Sequence, residues 1–497
     1  MKSVSTRRQR IVLAAQKFRH EPLTALSHHM DLNWMCEAYR QVRKNAATGI
    51  DGQTVAQYGE NLVENLRDLQ TRAKSGSYQA PPVKRAYVPK NEKEDRPIGI
   101  PTTEDKILQR AVSMILEPIY EQDFLPFSFG FRPGRSQHQA LEYLREQCFA
   151  QKVQWILEVD LRKFFDTVDH RQMRELLSRR VQDGVITRLI GKWLKAGVWE
   201  KGEVSYPEEG TPQGGVISPL LSNIYLHEVL DKWFVESVQP ACQGKTFMVR
   251  YADDFVMGFE RLEDVHKVQR VIAKRFARFG LKINTEKTRL VRFGRPSRAG
   301  GTGDKPETFD FLGFTHYWGR SQKGNQVVMK KTAKGRFRRT LQAIKEWGME
   351  HRHLSMKEQQ RKLNEKLRGH DGYYGVTGNI RMLSRLRYEV AKLWRRWLQR
   401  RNRSSSPNWE RFQGMLSDAE CVSTNPRSYC SLQNAMKPQP RGTGCVNCAR
   451  PDQWGASSGL RAGRPYPGSS HLAPETRRDP KSILATSPQR RQRQRIK

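Results

Sequence analysis

No run in the 497-residue chain approaches the ~20 consecutive apolar residues a membrane-spanning helix needs, which argues against an embedded protein. Peripheral contact with anionic lipid stays open. Cysteine is scarce and scattered: Cys36, Cys148, Cys242, Cys421, Cys430, Cys445 and Cys448 are odd in number and match no secreted disulfide framework. A reducing compartment is expected, the bacterial cytoplasm or nucleoid, with an organelle as the alternative. Acids are also in short supply. The chain has 51 Asp and Glu against 88 Lys and Arg, a formal net charge of +37. A field of that sign draws in a polyanion and is screened by salt, so nucleic acid is the natural partner. The opening MKSVSTRRQRIVLAAQKFRH contains no acid at all. An organellar transit peptide and the basic arm of a nucleic-acid-binding protein both have this composition.

At this length the chain holds roughly two to four domains. Helical-period segments fill Leu32 to Arg72, interrupted by a turn at Gly49 and Asp51-Gly52. A strand, KRAYVPK, leads through a charged turn into RPIGIP. Ile107, Leu108, Ala111, Ile115 and Ile119 then form a stripe that predicts a helix over 104–119. WILEVD begins as an apolar strand, and SPLLSNIYL opens a helix with Ser218 as N-cap and Pro219 at its first position. The VRYADDFVMGF stretch alternates like a strand on both sides of Ala252-Asp253-Asp254, which predicts a hairpin with carboxylates at its tip. Val265, Val268, Ile272, Phe276 and Phe279 give another helix, stopped by Gly280, and LKIN resumes as a strand. The expected class is α+β, with helices on one face of a small antiparallel sheet. Beyond it, FDFLGFTHYW and NQVVMKK predict a hairpin around Lys323-Gly324-Asn325. Three basic helices follow up to Arg403; Ser355 and Glu358 form the capping box of the middle one and Gly369 closes it. After Ser404 the composition is rich in Ser, Pro, Gly and Arg and predicts a tail disordered when free.

Paired aspartates at a hairpin tip are often turn formers and nothing more. Here apolar flanks put like charges against a low-dielectric floor, where a cation would relieve their repulsion. Asp160, at the end of WILEVD, can converge on the same edge. Hard oxygen donors on strands suit Mg²⁺, and two such ions support phosphoryl transfer.

YADD, VDLRKFFDTVDH, RPIGIP, GTPQGGVISPLLSNIYL, GLKINTEKT and FLGF together resemble the ordered blocks of the group II intron reverse transcriptase/maturase family. The resemblance covers Trp34 to Arg403. It implies a right-hand polymerase of fingers, palm and thumb, the palm built on an antiparallel sheet, followed by a helical maturase domain and a basic tail. The divisions implied are an N-terminal arm over 1–30, an N-terminal extension and fingers over 31–155 and a palm over 156–320, with finger–palm helices over 170–200. Thumb and maturase helices follow over 321–403, and the tail over 404–497.

Carried over position by position, Asp160, Asp253 and Asp254 become the carboxylates that hold two Mg²⁺ ions. Asp166 and Asp169 read as turn and cap residues instead. Phe165 matches the ring under the sugar of the incoming nucleotide, which predicts deoxynucleoside triphosphates as substrates. Lys90 and Arg96 match the triphosphate-holding positions, Gln213 the loop beside the nucleotide, and Lys287 the lysine near the pyrophosphate. Phe311, Leu312, Gly313 and Phe314 match the turn that steadies the primer end. Tyr373, Tyr374, Trp394 and Trp397 can stack on unpaired bases, although packing in a core serves most such residues. The partners implied are intron RNA, a DNA target or primer and deoxynucleotides.

Many family members end in a His-Asn-His endonuclease domain. Cys445-x-x-Cys448 is half of a zinc pattern, but Cys421, Cys430 and His471 do not complete it at a recognisable spacing. Neither structural zinc nor a second nuclease is expected, and the primer would then come from elsewhere, such as a nascent strand at a replication fork. The expected function is RNA-directed DNA synthesis with splicing assistance and intron mobility. The alternatives are a splicing maturase without polymerase activity, or a related polymerase in a defence or retron-like system.

Overall fold

The computed structural model describes residues 3–89, 94–206, 209–210, 214–296, 306–400, 410 and 412. At its centre is a four-stranded antiparallel sheet in the order Thr246–Tyr251, Asp254–Phe259, Trp155–Val159, Arg289–Arg292. Side-chain alternation divides the sheet into two apolar faces. Leu157, Phe255, Met257 and Phe259 pack with Val265, Val268, Ile272 and Phe276 of the helix Leu262–Ala277. Ile156, Phe247, Val249, Val256 and Val291 face the other way, against Ala140, Leu141, Leu144 and Cys148 of the helix Gln137–Ala150.

Both faces are therefore covered, which corrects the expectation of helices on one face. The same double cover explains why Asp254–Phe259 is apolar at nearly every position. The edge beside Thr246–Tyr251 is closed too. Phe129 N donates to Arg250 O at 2.9 Å and Arg250 N to Phe127 O at 2.9 Å, so 127–129 pairs there as a short extra segment.

LKIN does not supply the last strand. Only Ile283 forms a bridge, to Leu161, and the paired strand is Arg289–Arg292. The backbone of Asn284 instead donates to Asp160 O at 2.8 Å, which draws this segment into a turn beside the sheet end.

A second sheet runs Asp95–Ile100, Val83–Pro89, Val198–Glu200, Glu203–Ser205. Between the two sheets' chain segments runs the helix Thr103–Tyr120, capped by Thr102, whose hydroxyl accepts from Asp105 N. It is buried on almost every side because it packs against Val4–Lys17, Leu32–Gln41 and Ser218–Leu226. Trp34 is fully buried and its indole donates to Ala111 O at 2.9 Å. Ser218 is the first helical residue, not the cap. Ile217 already has helical backbone angles, so Pro219 alone marks the start. Gly280 takes a positive φ of 69°, the left-handed stop expected of it.

The C-terminal part opens with the strands Phe309–Phe311, Phe314–Arg320 and Gln326–Thr332, followed by the helices Lys334–Glu350, Met356–Tyr374 and Ile380–Gln399. The Ser355 capping box forms. Gly369 does not close the helix. Leu363, Leu367, His370, Asp371 and Tyr374 continue its buried face, and that packing outweighs the ~1 kcal/mol disadvantage of a mid-helix glycine. Phe412 packs edge-on against Trp394 at 5.5 Å, so this apolar cluster reaches past Ser404. No described helix is long and apolar enough to cross a membrane.

Candidate active site

Tyr251 pairs with Asp254, leaving Ala252 and Asp253 as a two-residue hairpin connection. Ala252 sits at φ 57°, a left-handed conformation that disfavours any residue with a Cβ. Such an outlier persists only where its surroundings over-determine it, and here they do. Arg250 and Asp231 are both 0% exposed and form a two-point ion pair, with Nε to Oδ1 at 2.7 Å and Nη2 to Oδ2 at 2.5 Å. The remaining Arg250 nitrogen, Nη1, donates to Ala252 O at 3.1 Å and to Asn223 Oδ1 at 2.9 Å. Asn223 in turn donates to Gly130 O at 2.5 Å. Burial alone would push the Asp231 carboxyl up; the Arg250 guanidinium and His227 outweigh it and hold the carboxyl below its usual range. Gly130 lies directly under the tip, where an added methyl would stand 2.2 Å from Ala252 N. The tip is thus fixed by Arg250, which Asp231 and Asn223 hold, and by the close approach of Gly130.

Asp160 follows the strand Trp155–Val159. Since Val159 pairs with Phe255, the next step of that register sets Asp160 opposite Asp254, and all three aspartates share one end of the sheet. Each is partly exposed. Asn284 Nδ2 donates to Asp160 Oδ2 at 3.0 Å and Lys287 Nζ lies 3.8 Å from the same oxygen. The structure therefore brings Lys287 to the carboxylates. Among the described residues no three His, Cys, Asp or Glu side chains form a ready-made metal cluster. The donor chemistry still fits: three carboxylates at one solvent-reached sheet end are the hard, anionic oxygens Mg²⁺ takes alongside water and phosphate.

Phe165 lies in the one-turn helix Phe164–Asp166, half-buried, with its ring edge-on to Phe164 at 5.3 Å. Asp169 caps the helix His170–Ser178, accepting from Gln172 N at 2.7 Å, as its sequence context implied. Gln213 and Lys90 lie outside the described residues. The loop that carries Gln213 is flanked by two glycines at positive φ. Gly210 passes so close to Phe165 that a Cβ would stand 2.9 Å from its carbonyl oxygen, and Gly214 would place one 2.6 Å from Gly99 O. Arg96 is on that second strand, paired with Val88. Gly210 thus lies against the Phe165 turn and Gly214 against the strand bearing Arg96.

Phe311 pairs with Phe314, so Leu312 and Gly313 form another two-residue turn, both at positive φ (50° and 79°). Phe311 and Phe314 are buried in the same apolar cluster as Tyr251 and Ala252, while Leu312 and Gly313 reach the surface. Glu158 ties this element to the sheet, accepting from Asp310 N at 2.9 Å and from Arg289 Nε at 2.6 Å. Tyr374, Trp394 and Trp397 are buried and Tyr373 is half-buried, so packing accounts for these four aromatics. The Cys421, Cys430, Cys445, Cys448 and His471 set lies outside the described residues.

Sequence reasoning missed Arg250, Asp231, Asn223 and Gly130. One signal was present: an arginine inside the apolar run FMVRYA needs a buried counter-charge. Nothing in the sequence says that Asp231 provides it.

The chain matches the family model for the reverse transcriptase (RNA-dependent DNA polymerase) over residues 88–316 and that for the group II intron maturase-specific domain over 337–413. It is 36% identical over 292 residues to Protein YkfC of Escherichia coli, covering 52% of this chain and 76% of that protein. Identity to the group II intron-encoded protein LtrA of Lactococcus lactis is 38% over 233 residues, 46% of this chain and 38% of LtrA. A weaker likeness, 24% over 191 residues, links it to nuclear intron maturase 4 of Arabidopsis thaliana, with 38% of this chain and 23% of that protein covered.

Proposed function

Because the chain belongs to the group II intron reverse transcriptase/maturase family, we propose that it is an RNA-directed DNA polymerase that also binds its intron RNA, promoting splicing and intron mobility. The observation that carries this reading is the strand register that sets Asp160 opposite Asp254, with Lys287 beside them. In this reading the four-stranded sheet is the palm, 31–155 contains the fingers, and 321–403 supplies the thumb and RNA-binding helices.

Asp160, Asp253 and Asp254 would hold two magnesium ions, which when bound supply the Lewis acidity that activates the primer hydroxyl and stabilises the leaving oxygen. The chain's own groups do the rest. The fixed hairpin presents Asp253 and Asp254 without reorganisation, because Ala252 O is already held by Arg250. Lys90 and Arg96 offset charge on the β and γ phosphates of the deoxynucleotide. Lys287, 61% exposed, reaches from Asp160 toward the departing pyrophosphate and can give it a proton. Phe165 closes the floor under the sugar and excludes a 2′-hydroxyl, and the resemblance assigns Gln213 to the loop beside the nucleotide. The Leu312–Gly313 turn steadies the primer end. The basic helices neutralise phosphates of the RNA.

The test is primer extension on an RNA template with Asp253→Asn. Synthesis should vanish while binding and splicing of the intron RNA persist. Normal extension by the variant would remove the carboxylate assignment. A wild-type chain that promotes splicing yet never extends a primer would support the splicing-only maturase instead.

A further inference from the structure

We propose that Tyr373 is a positioning residue for the Leu312–Gly313 turn, so that primer-end placement depends directly on a helix of the maturase-matching region. The inference rests on the polymerase reading above. Tyr373 lies on Met356–Tyr374, inside the 337–413 maturase match, whereas Leu312 lies inside the 88–316 polymerase match. Its hydroxyl donates to Leu312 O at 2.8 Å. That carbonyl belongs to a turn with two successive positive φ angles, one of them on a leucine, so the turn needs outside support to keep its shape.

The tyrosine is itself held on several sides. Its ring stacks on Phe314 at 5.7 Å and stands edge-on to Tyr374 at 4.8 Å. Its carbonyl accepts from His138 Nε2 at 2.8 Å, and burial lowers that imidazole's pKa. Burial, with the neighbouring Tyr374 and Tyr251, pushes the Tyr373 phenol's pKa up, which keeps the hydroxyl protonated. One side chain thus touches both the primer turn and the Phe314 ring that flanks it. A helix that shifts on binding RNA would move Leu312 through this hydroxyl.

Tyr373→Phe removes one oxygen and leaves the ring packing. In primer extension on the full chain, KM for the primer–template should rise about fivefold, the equivalent of one lost neutral hydrogen bond, with kcat and KM for deoxynucleotide unchanged. Hydrogen exchange over 311–314 should speed up by a similar factor, while the melting temperature moves little. Tyr374→Phe is the control, because its hydroxyl makes no hydrogen bond among the described residues, and it should behave as wild type. Wild-type primer KM and exchange in Tyr373→Phe would overturn the proposal, as would an equal effect of the control. A wild-type chain that never extends a primer defeats the polymerase reading and this inference with it; an active wild type matched by Tyr373→Phe defeats this inference alone.

Discussion

Breaking the Arg250–Asp231 pair should be far more damaging than removing both of its members. The two groups are 0% exposed and joined at 2.7 and 2.5 Å, so Arg250→Met leaves an uncompensated carboxylate in the core and Asp231→Leu an uncompensated guanidinium. Each single change should destabilise the chain by about 3–5 kcal/mol, whereas the double replacement, apolar and of similar volume, should fall within a few kcal/mol of wild type or exceed it. Urea unfolding of the four proteins closes the cycle, and the two losses should be strongly non-additive. The pH dependence follows from the depressed Asp231 carboxyl. A folded-state value below the unfolded ~3.9 gives a stabilisation that is in place above about pH 4 and lost as pH falls through the lower folded value, so the double variant should show a shallower acid limb. Primer extension separates stability from positioning. The double variant has no donor for Ala252 O or Asn223 Oδ1 and should remain at least about tenfold slow even where it is as stable as wild type. Additive losses in the cycle, or a stable double variant with full synthesis, would refute this account.

Gly130→Ala should displace the hairpin, because the new methyl meets backbone at 2.2 Å and not a side chain that can swing away. A shift of that size predicts a loss of about 100-fold in kcat with the circular dichroism spectrum retained, read by steady-state primer extension. Phe165→Ala should admit ribonucleotides, lowering the preference for deoxynucleotides about tenfold or more in competition assays on an RNA template; an unchanged preference would remove the ring from sugar selection.

Local pattern carried much of the fold. The apolar stripe around Ile107, the strand WILEV, the hairpin at Ala252-Asp253 and the Ser355 capping box all form where sequence periodicity and cap chemistry indicate. Failures came where a local signal met a non-local contact. Gly369 reads as a stop, but the helix continues because its buried face does. LKIN reads as a strand, but Asn284 is taken by Asp160. The apolar stripe of Gln137–Ala150 mixes alanine and cysteine with leucine, which hid the second cover of the sheet.

By itself the sequence determined the charge that favours nucleic acid and the family blocks, because these depend on residue type and short spacing. Only the tertiary structure decided that Asp160 lies opposite Asp254, that Arg250 finds its counter-charge on Asp231, and that Tyr373 grips Leu312. Strand register and helix packing set those meetings, and both are properties of the closed core, in which residues far apart in the chain compete for the same buried hydrogen-bonding and apolar partners.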